Sequence, residues 1–193
     1  MYQNVRVKIT GLSPLLMHNG RGANPLDPLV KQLKTLTGKR KKTDEDLMEI
    51  ARLEWMISLY EKDGVLLVPA ENVEGCFRDA AKMSKRGKDA TRGFLCRATT
   101  PLQFAGKGKS LSDLWGSGKY TDTRVVKNPG SGSRIMRTRP ILMDWSFTAD
   151  LSFDDATFNN ETEILDILQT GGQYIGLLDY RPRYGRFSAE ASK

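Results

Sequence analysis

Gly171-Gly172-Gln173-Tyr174-Ile175-Gly176-Leu177-Leu178-Asp179-Tyr180-Arg181-Pro182-Arg183-Tyr184-Gly185-Arg186-Phe187 gathers four glycines, three tyrosines and three arginines into seventeen residues. Glycine lets backbone approach a ligand closely or adopt positive φ. Arginine contacts phosphate bidentately and stacks on bases, and tyrosine presents a face on which a base can stack. Tyr180, Arg181, Arg183, Tyr184 and Arg186 therefore suit a polyanion held against a backbone surface. The alternative is a helix cap, a loop and an edge strand with a solvated arginine face. The whole chain tips the reading toward nucleic acid, because 30 Lys and Arg against 23 Asp and Glu leave a net charge of +7.

Further cations recur at the end of a predicted helix, where Lys82, Lys85, Arg86 and Lys88 cluster; the helix dipole alone also favours cations there. Arg137 and Arg139 share one face of a predicted strand. His18 follows the first predicted strand and is the only histidine. With Tyr184 or Lys31 it has the chemistry of a general base and stabiliser for attack by a 2′-hydroxyl; a loop histidine bonded locally is the other reading. Asp27 lies between Pro25 and Pro28 with no second carboxylate nearby in sequence, which fits a turn residue. Cys76 and Cys96 form no CxxC, and with one histidine a zinc site is excluded. They are expected to be reduced core residues. No metal or cofactor is implied. Gly106-Lys107-Gly108-Lys109-Ser110 lacks the spacing of a phosphate-binding P-loop. No apolar run reaches the ~18 residues of a membrane span, and no signal pattern opens the chain, so a cytoplasmic protein with no membrane partner is expected.

The elements that must position these residues follow from periodicity. Gln3–Gly11 alternates Val5, Val7 and Ile9 with Arg6, Lys8 and Thr10, a strand with one buried and one cationic face. A short helix is expected over 29–36, and the basic turn Gly38-Lys39-Arg40-Lys41-Lys42 follows. Thr43 caps a helix whose first turn carries Asp44, Glu45 and Asp46. Its apolar stripe runs Leu47, Ile50, Leu53, Ile57, Tyr60. Val65–Val68 is a short strand, and a helix over about 71–86 turns Val73, Cys76, Phe77, Ala80 and Met83 inward. One or two strands lie within 94–104, broken near Pro101. A polar, glycine-rich stretch follows, with a short helix at 111–115, a strand at 120–126 and a mobile run from Asn128 to Ser133. Strands at 134–140 and 144–153 precede a helix capped by Asn160, with Glu163 at its third position.

Stripped of insertions the order is strand, helix, strand, strand, helix, strand. That predicts an α+β fold with a ferredoxin-like or RRM-like antiparallel sheet and helices on one face. The expectation is one domain over 1–193, with an inserted helical segment at about 28–61 and a projecting basic insertion at about 106–133.

With these elements placed, the chain resembles the RAMP superfamily, the RRM-derived proteins of CRISPR systems. The resemblance rests on Thr10-Gly11-Leu12-Ser13-Pro14-Leu15-Leu16, similar to the family's first strand and exit turn. It rests also on Val68-Pro69-Ala70-Glu71-Asn72-Val73-Glu74-Gly75-Cys76-Phe77-Arg78, similar to its strand-to-helix signature, and on Gly176–Phe187, similar to its C-terminal glycine-rich loop. The chain looks most like the backbone subunit that polymerises along guide RNA, and like small stand-alone phage relatives of that fold. The resemblance implies single-strand binding by a head-to-tail homo-oligomer or filament, with Asn72, Arg78, Arg181, Arg183 and Arg186 as contacts. Charge adds Lys82, Lys85, Arg86, Arg137 and Arg139. Glu71 and Glu74 depart from the pattern by setting negative charge near the start of the helix.

The expected function is a single-stranded DNA- or RNA-binding protein that assembles cooperatively and is not an enzyme. The alternatives are a metal-independent endoribonuclease using His18, a target-cutting role for Asp27, and a protein-binding mimic or inhibitor of a CRISPR subunit.

Overall fold

The computed structural model describes residues 1–127, 130 and 132–192. In chain order the elements are β1 (Tyr2–Gly11), β2 (Leu15–Leu16), a 3-10 turn (Gly20–Ala23), α1 (Pro28–Thr37), α2 (Asp44–Ser58), β3 (Glu61–Lys62), β4 (Val65–Val68), α3 (Ala70–Met83), α4 (Gly87–Gly93), β5 (Phe94–Cys96) and β6 (Thr100–Pro101). After these come α5 (Leu111–Gly116), β7 (Thr121–Lys127), β8 (Arg134–Leu142), β9 (Ser146–Asp154), α6 (Glu161–Thr170), a π-turn (Gly171–Ile175) and β10 (Phe187–Ala191). Among the described residues no helix is long and apolar enough to cross a membrane. Of the run read as mobile, Asn128, Pro129 and Ser131 lie outside the described residues.

The chain divides into two compact units. The first comprises Met1–Leu15, Glu61–Lys107 and Leu142–Lys193; the second comprises Leu16–Tyr60 and Gly108–Ile141. The stretches read as two insertions, 28–61 and 106–133, fall almost wholly in the second unit.

In the first unit the sheet order is β10-β1-β9-β5, all neighbours antiparallel. Taking β1, α3, β5, β9, α6 and β10 as the six elements in turn, this is the ferredoxin-like order the sequence predicts. Val7, Ile9, Ala149 and Leu151 are fully buried, and α3 and α6 supply Phe77, Ile164 and Leu168 to the same core. Phe77 stacks on Phe94 at 3.6 Å between ring centroids and meets Phe158 edge-on at 5.7 Å. Both cysteines are free and buried here. Burial pushes the Cys76 thiol up to about 12 and the Cys96 thiol up to about 11, so neither ionises near neutrality.

The open face of this sheet carries the cations of β1, of which Arg6 is in an ion pair. Arg6 bonds Asp150 at 2.9 Å, Asn4 accepts from Ser152 at 2.6 Å, and the register sets Glu190 opposite Lys8.

In the second unit α2 begins where the sequence places it. Thr43 and Asp46 form a reciprocal capping box, and Asp44, Glu45 and Asp46 fill the first turn. The apolar stripe starts later than the periodicity suggests. Leu47 is exposed, whereas Leu53, Trp55, Ile57 and Leu59 are buried. Trp55 donates from Nε1 to the Tyr120 carbonyl at 2.8 Å and meets Trp115 of α5 at 5.8 Å. β7 and β8 form an antiparallel ribbon.

Asp27 is the N-cap of α1, accepting from the Leu29 and Val30 N–H groups at 2.9 and 3.3 Å and from Arg21 Nη2 at 2.8 Å. Burial by itself pushes its carboxyl up, but the Arg21 hydrogen bond and the Val30 and Leu29 N–H groups together hold it below the ordinary aspartate value. A lowered folded-state pKa contributes stability that is complete above the unfolded pKa, about 3.9, and is lost as pH falls through the folded value. Asp27→Ala is therefore expected to lower stability by about 1 kcal/mol at pH 7. The gap from wild type should close as acid titrates the carboxylate, read from urea unfolding across a pH series.

Candidate nucleic-acid interface

The sequence of α3 separates two faces. Val73, Cys76, Phe77, Ala80 and Ala81 are buried, which leaves Arg78 and Lys82 exposed on the opposite side. Glu74 does not add negative charge to that side, because its Oε1 accepts from the Cys96 N–H at 3.0 Å. Asn72 sits half-buried in the first turn.

The helix expected to reach Arg86 stops at Met83 and restarts as α4, and Met83 itself is exposed. The stop is a Schellman arrangement: Arg86 N–H donates to the Ala81 carbonyl at 2.8 Å and Lys85 N–H to Lys82 at 3.0 Å. The left-handed position that glycine usually takes is held by Lys85, at φ 61°. A side chain there strains the backbone by about 1 kcal/mol or more. Gly87 follows, and a Cβ on it would lie 2.6 Å from Lys82 Cγ, so the lysine stem crosses the chain only because that Cβ is absent.

The result is an open groove of about 540 Å3 walled by Arg78, Lys82, Lys85, Lys88, Gly87 and Thr91. No carboxylate belongs to these walls, although Lys82 also reaches Asp79 at 2.8 Å. With Lys82 countered by Asp79, Arg78, Lys85 and Lys88 still repel one another along one short wall, and a polyanion relieves that repulsion while releasing counterions.

The other end of the interface is the C-terminal loop. Leu12 N–H donates to the Arg186 carbonyl at 2.7 Å, Gly185 N–H to Pro14 at 2.8 Å, and Leu177 N–H to Gly185 at 2.8 Å. Arg186 N–H reaches Ser13 Oγ at 2.9 Å. The β1 exit turn and the glycine-rich loop thus meet in the fold, and α3 joins them through Arg181, 3.9 Å from Asp79. Tyr180, Arg181, Arg183 and Arg186 are exposed; Tyr184 is half-buried, its ring 5.7 Å from that of Tyr180. Tyr174, Tyr180, Arg181 and Asp79 line a depression of about 510 Å3, which combines stacking faces with a guanidinium.

The remaining sites go elsewhere. Arg86 is held inside the first unit, in contact with Glu163 and the Thr157 carbonyl, bonded to Asp89 at 3.2 Å and lying 4.8 Å over the Phe158 ring. Arg137 and Arg139 belong to the second unit, where Arg137 pairs with Glu54 and Arg139 is 6 % exposed. His18 is also in the second unit, exposed, with its carbonyl accepting from Tyr60 at 3.2 Å. Periodicity missed Thr91 as a wall residue and treated Lys88 as helix-end charge. The signal for both was Gly87, which follows a polar run and opens a new helix. Among the described residues no three His, Cys, Asp or Glu side chains gather where they would hold a metal ion.

No protein-family model matches the chain, and no curated protein matches it. Among solved structures it is similar along its whole length to a chain of the type III-B Cmr-beta complex bound to cognate target RNA, with 13% identity and a TM-score of 0.49. It spans 59% of that chain's length. It is also similar to Cmr6 from Pyrococcus furiosus, with 9% identity, a TM-score of 0.47 and coverage of 98% of this chain and 99% of that one.

Lys85 couples strain to charge, so Lys85→Gly should have opposite effects on fold and ligand. Unfolding in urea is expected to show a gain of about 1 kcal/mol, while affinity for a polyphosphate or an oligonucleotide falls.

Proposed function

We propose that the chain is a RAMP-type single-stranded nucleic-acid-binding protein that grips the strand on its first unit. The observation that carries this reading is the groove of Arg78, Lys82, Lys85 and Lys88, whose walls hold cations and no carboxylate. The convergence of the β1 exit turn, α3 and the C-terminal loop supports it: hydrogen bonds join the first and last of these, and Asp79, next to the α3 segment that resembles the family, pairs with Arg181. Phosphates would lie along the groove, and the exposed tyrosines and arginines of the loop would stack on or bond to the bases and backbone beyond it. The reading leaves the open face of the sheet out of this grip; there Arg6 is already paired with Asp150.

The reading extends to cooperative assembly of successive copies, head to tail, along one strand. It assigns no catalytic step to the interface.

Fluorescence anisotropy with labelled single-stranded RNA, single-stranded DNA and duplex over a salt series tests it. Tight binding to a single strand is expected, steepening with strand length if copies assemble cooperatively. Removing three phosphate contacts with Arg78→Ala, Lys82→Ala and Lys88→Ala together should reduce the slope of log affinity against log salt by about 2. Arg181→Ala, Arg183→Ala and Arg186→Ala together should weaken binding across all sequences. Unchanged affinity in both triple variants would remove the interface from consideration.

A further inference from the structure

The depression of about 510 Å3 at the C-terminal loop differs from the cationic groove in the charge of its lining. Asp79 and Asp179 both belong to it, against the single guanidinium of Arg181. A phosphate, anionic and purely an acceptor of hydrogen bonds, is disfavoured beside two carboxylates. The same lining holds Tyr174 and Tyr180, 54% and 46% exposed, which suit a flat aromatic ring. The groove and the depression therefore ask for different parts of a nucleotide.

Two charged groups on this lining are not closed on each other. Asp79 Oδ1 accepts from Lys82 Nζ at 2.8 Å, whereas the other carboxylate oxygen lies 3.9 Å from Arg181 Nη1, beyond hydrogen-bond reach. The Asp79 and Arg181 side chains are 35% and 39% exposed. An acceptor and a donor thus stand side by side, open to a ligand that carries the opposite pair.

A nucleobase edge is such a ligand, and the four bases of RNA fit it unequally. Guanine sets N2–H and N1–H beside O6, two donors for the carboxylate and an acceptor for the guanidinium. Adenine and cytosine each offer one amino donor next to a ring-nitrogen acceptor. Uracil has a carbonyl on both sides of its one N–H, so a carbonyl faces the carboxylate and is repelled.

We propose that this depression is a base-reading subsite whose preferred occupant is guanine. Its ring lies against Tyr174 and Tyr180, its N–H edge on Asp79 and its O6 on Arg181. The subsite deepens the strand-binding reading and rests on it for its place along a strand, but recognition of the base does not require the grip.

Fluorescence anisotropy of the full chain tests this with short labelled RNAs, all-uridine or carrying one central guanosine, adenosine or cytidine. The guanosine strand is expected to bind about tenfold tighter than the all-uridine strand, with the other two between them. In Asp79→Ala the guanosine strand should fall to the affinity of the all-uridine strand, which itself should hold or tighten as a negative charge leaves the interface. Tyr174→Ala with Tyr180→Ala should weaken guanosine-strand binding several-fold in a protein whose melting curve matches wild type. Equal affinities in the wild type, or a uniform shift of all four strands in Asp79→Ala, would overturn the proposal. Saturation-transfer NMR with free guanosine and uridine, which carry no phosphate, reads the subsite without the grip. Transfer to guanosine well above that to uridine supports the subsite even in a protein that binds no strand. Equal transfer, or none to either, overturns it, and salt-dependent binding of the all-uridine strand would then leave the grip standing alone.

Discussion

The C-terminal loop is fastened to the exit turn of β1 by main-chain groups, and the first unit's candidate chemistry depends on that joint. Leu12, Ser13 and Pro14 exchange hydrogen bonds with Gly185 and Arg186, and Trp145 Nε1 fixes the turn by donating to the Ser13 carbonyl at 2.7 Å. Gly185 lets the loop close on itself, since a Cβ there would lie 2.0 Å from the Leu177 carbonyl oxygen at a φ of 73°. These bonds use the main chain of the loop, and Arg181, Arg183 and Arg186 are left at the surface. A joint made by arginine side chains would have buried the groups that a polyanion needs.

Cations that look alike in sequence are sorted by their carboxylate neighbours. Arg86 lies one residue from Lys85, yet Glu163, Asp89 and the Phe158 ring draw it into the fold while Lys85 stays exposed. Arg6 and Lys8 lie on a face the periodicity correctly marks as open, and strand register then sets Asp150 and Glu190 against them. An exposed pair such as Arg6 with Asp150 adds little to stability, but it cancels the local field. Charge composition therefore sets the sign of the surface, and pairing across the fold sets where that charge is left open.

A comparable sorting shapes the second unit. Glu54 falls among apolar residues of α2 and is buried with them, where an unpaired carboxylate would be severely disfavoured. The Thr138 N–H and Arg137 satisfy it from β8. That requirement fastens α2 to β8 within the second unit.

Much of the fold was legible in the sequence. Alternation in β1 and β9, the Thr43 capping box and the Asn160 cap with Glu163 at its third position are local features, fixed by residues a few positions apart. The order of elements was enough to give the ferredoxin-like sheet. The break after Met83 was not legible, because it needed a lysine in the left-handed region, which sequence propensity disfavours. The position of Asp27 between prolines predicted a turn residue, but only the fold showed it closing a helix end and pairing with Arg21. The basic charge, the helix and strand periods and the glycine-rich loop follow from composition and short-range geometry, and so are read directly from the residues. Which cations meet carboxylates is settled by the folded chain, because ion pairs such as Arg86 with Glu163 and Arg137 with Glu54 join residues far apart in sequence.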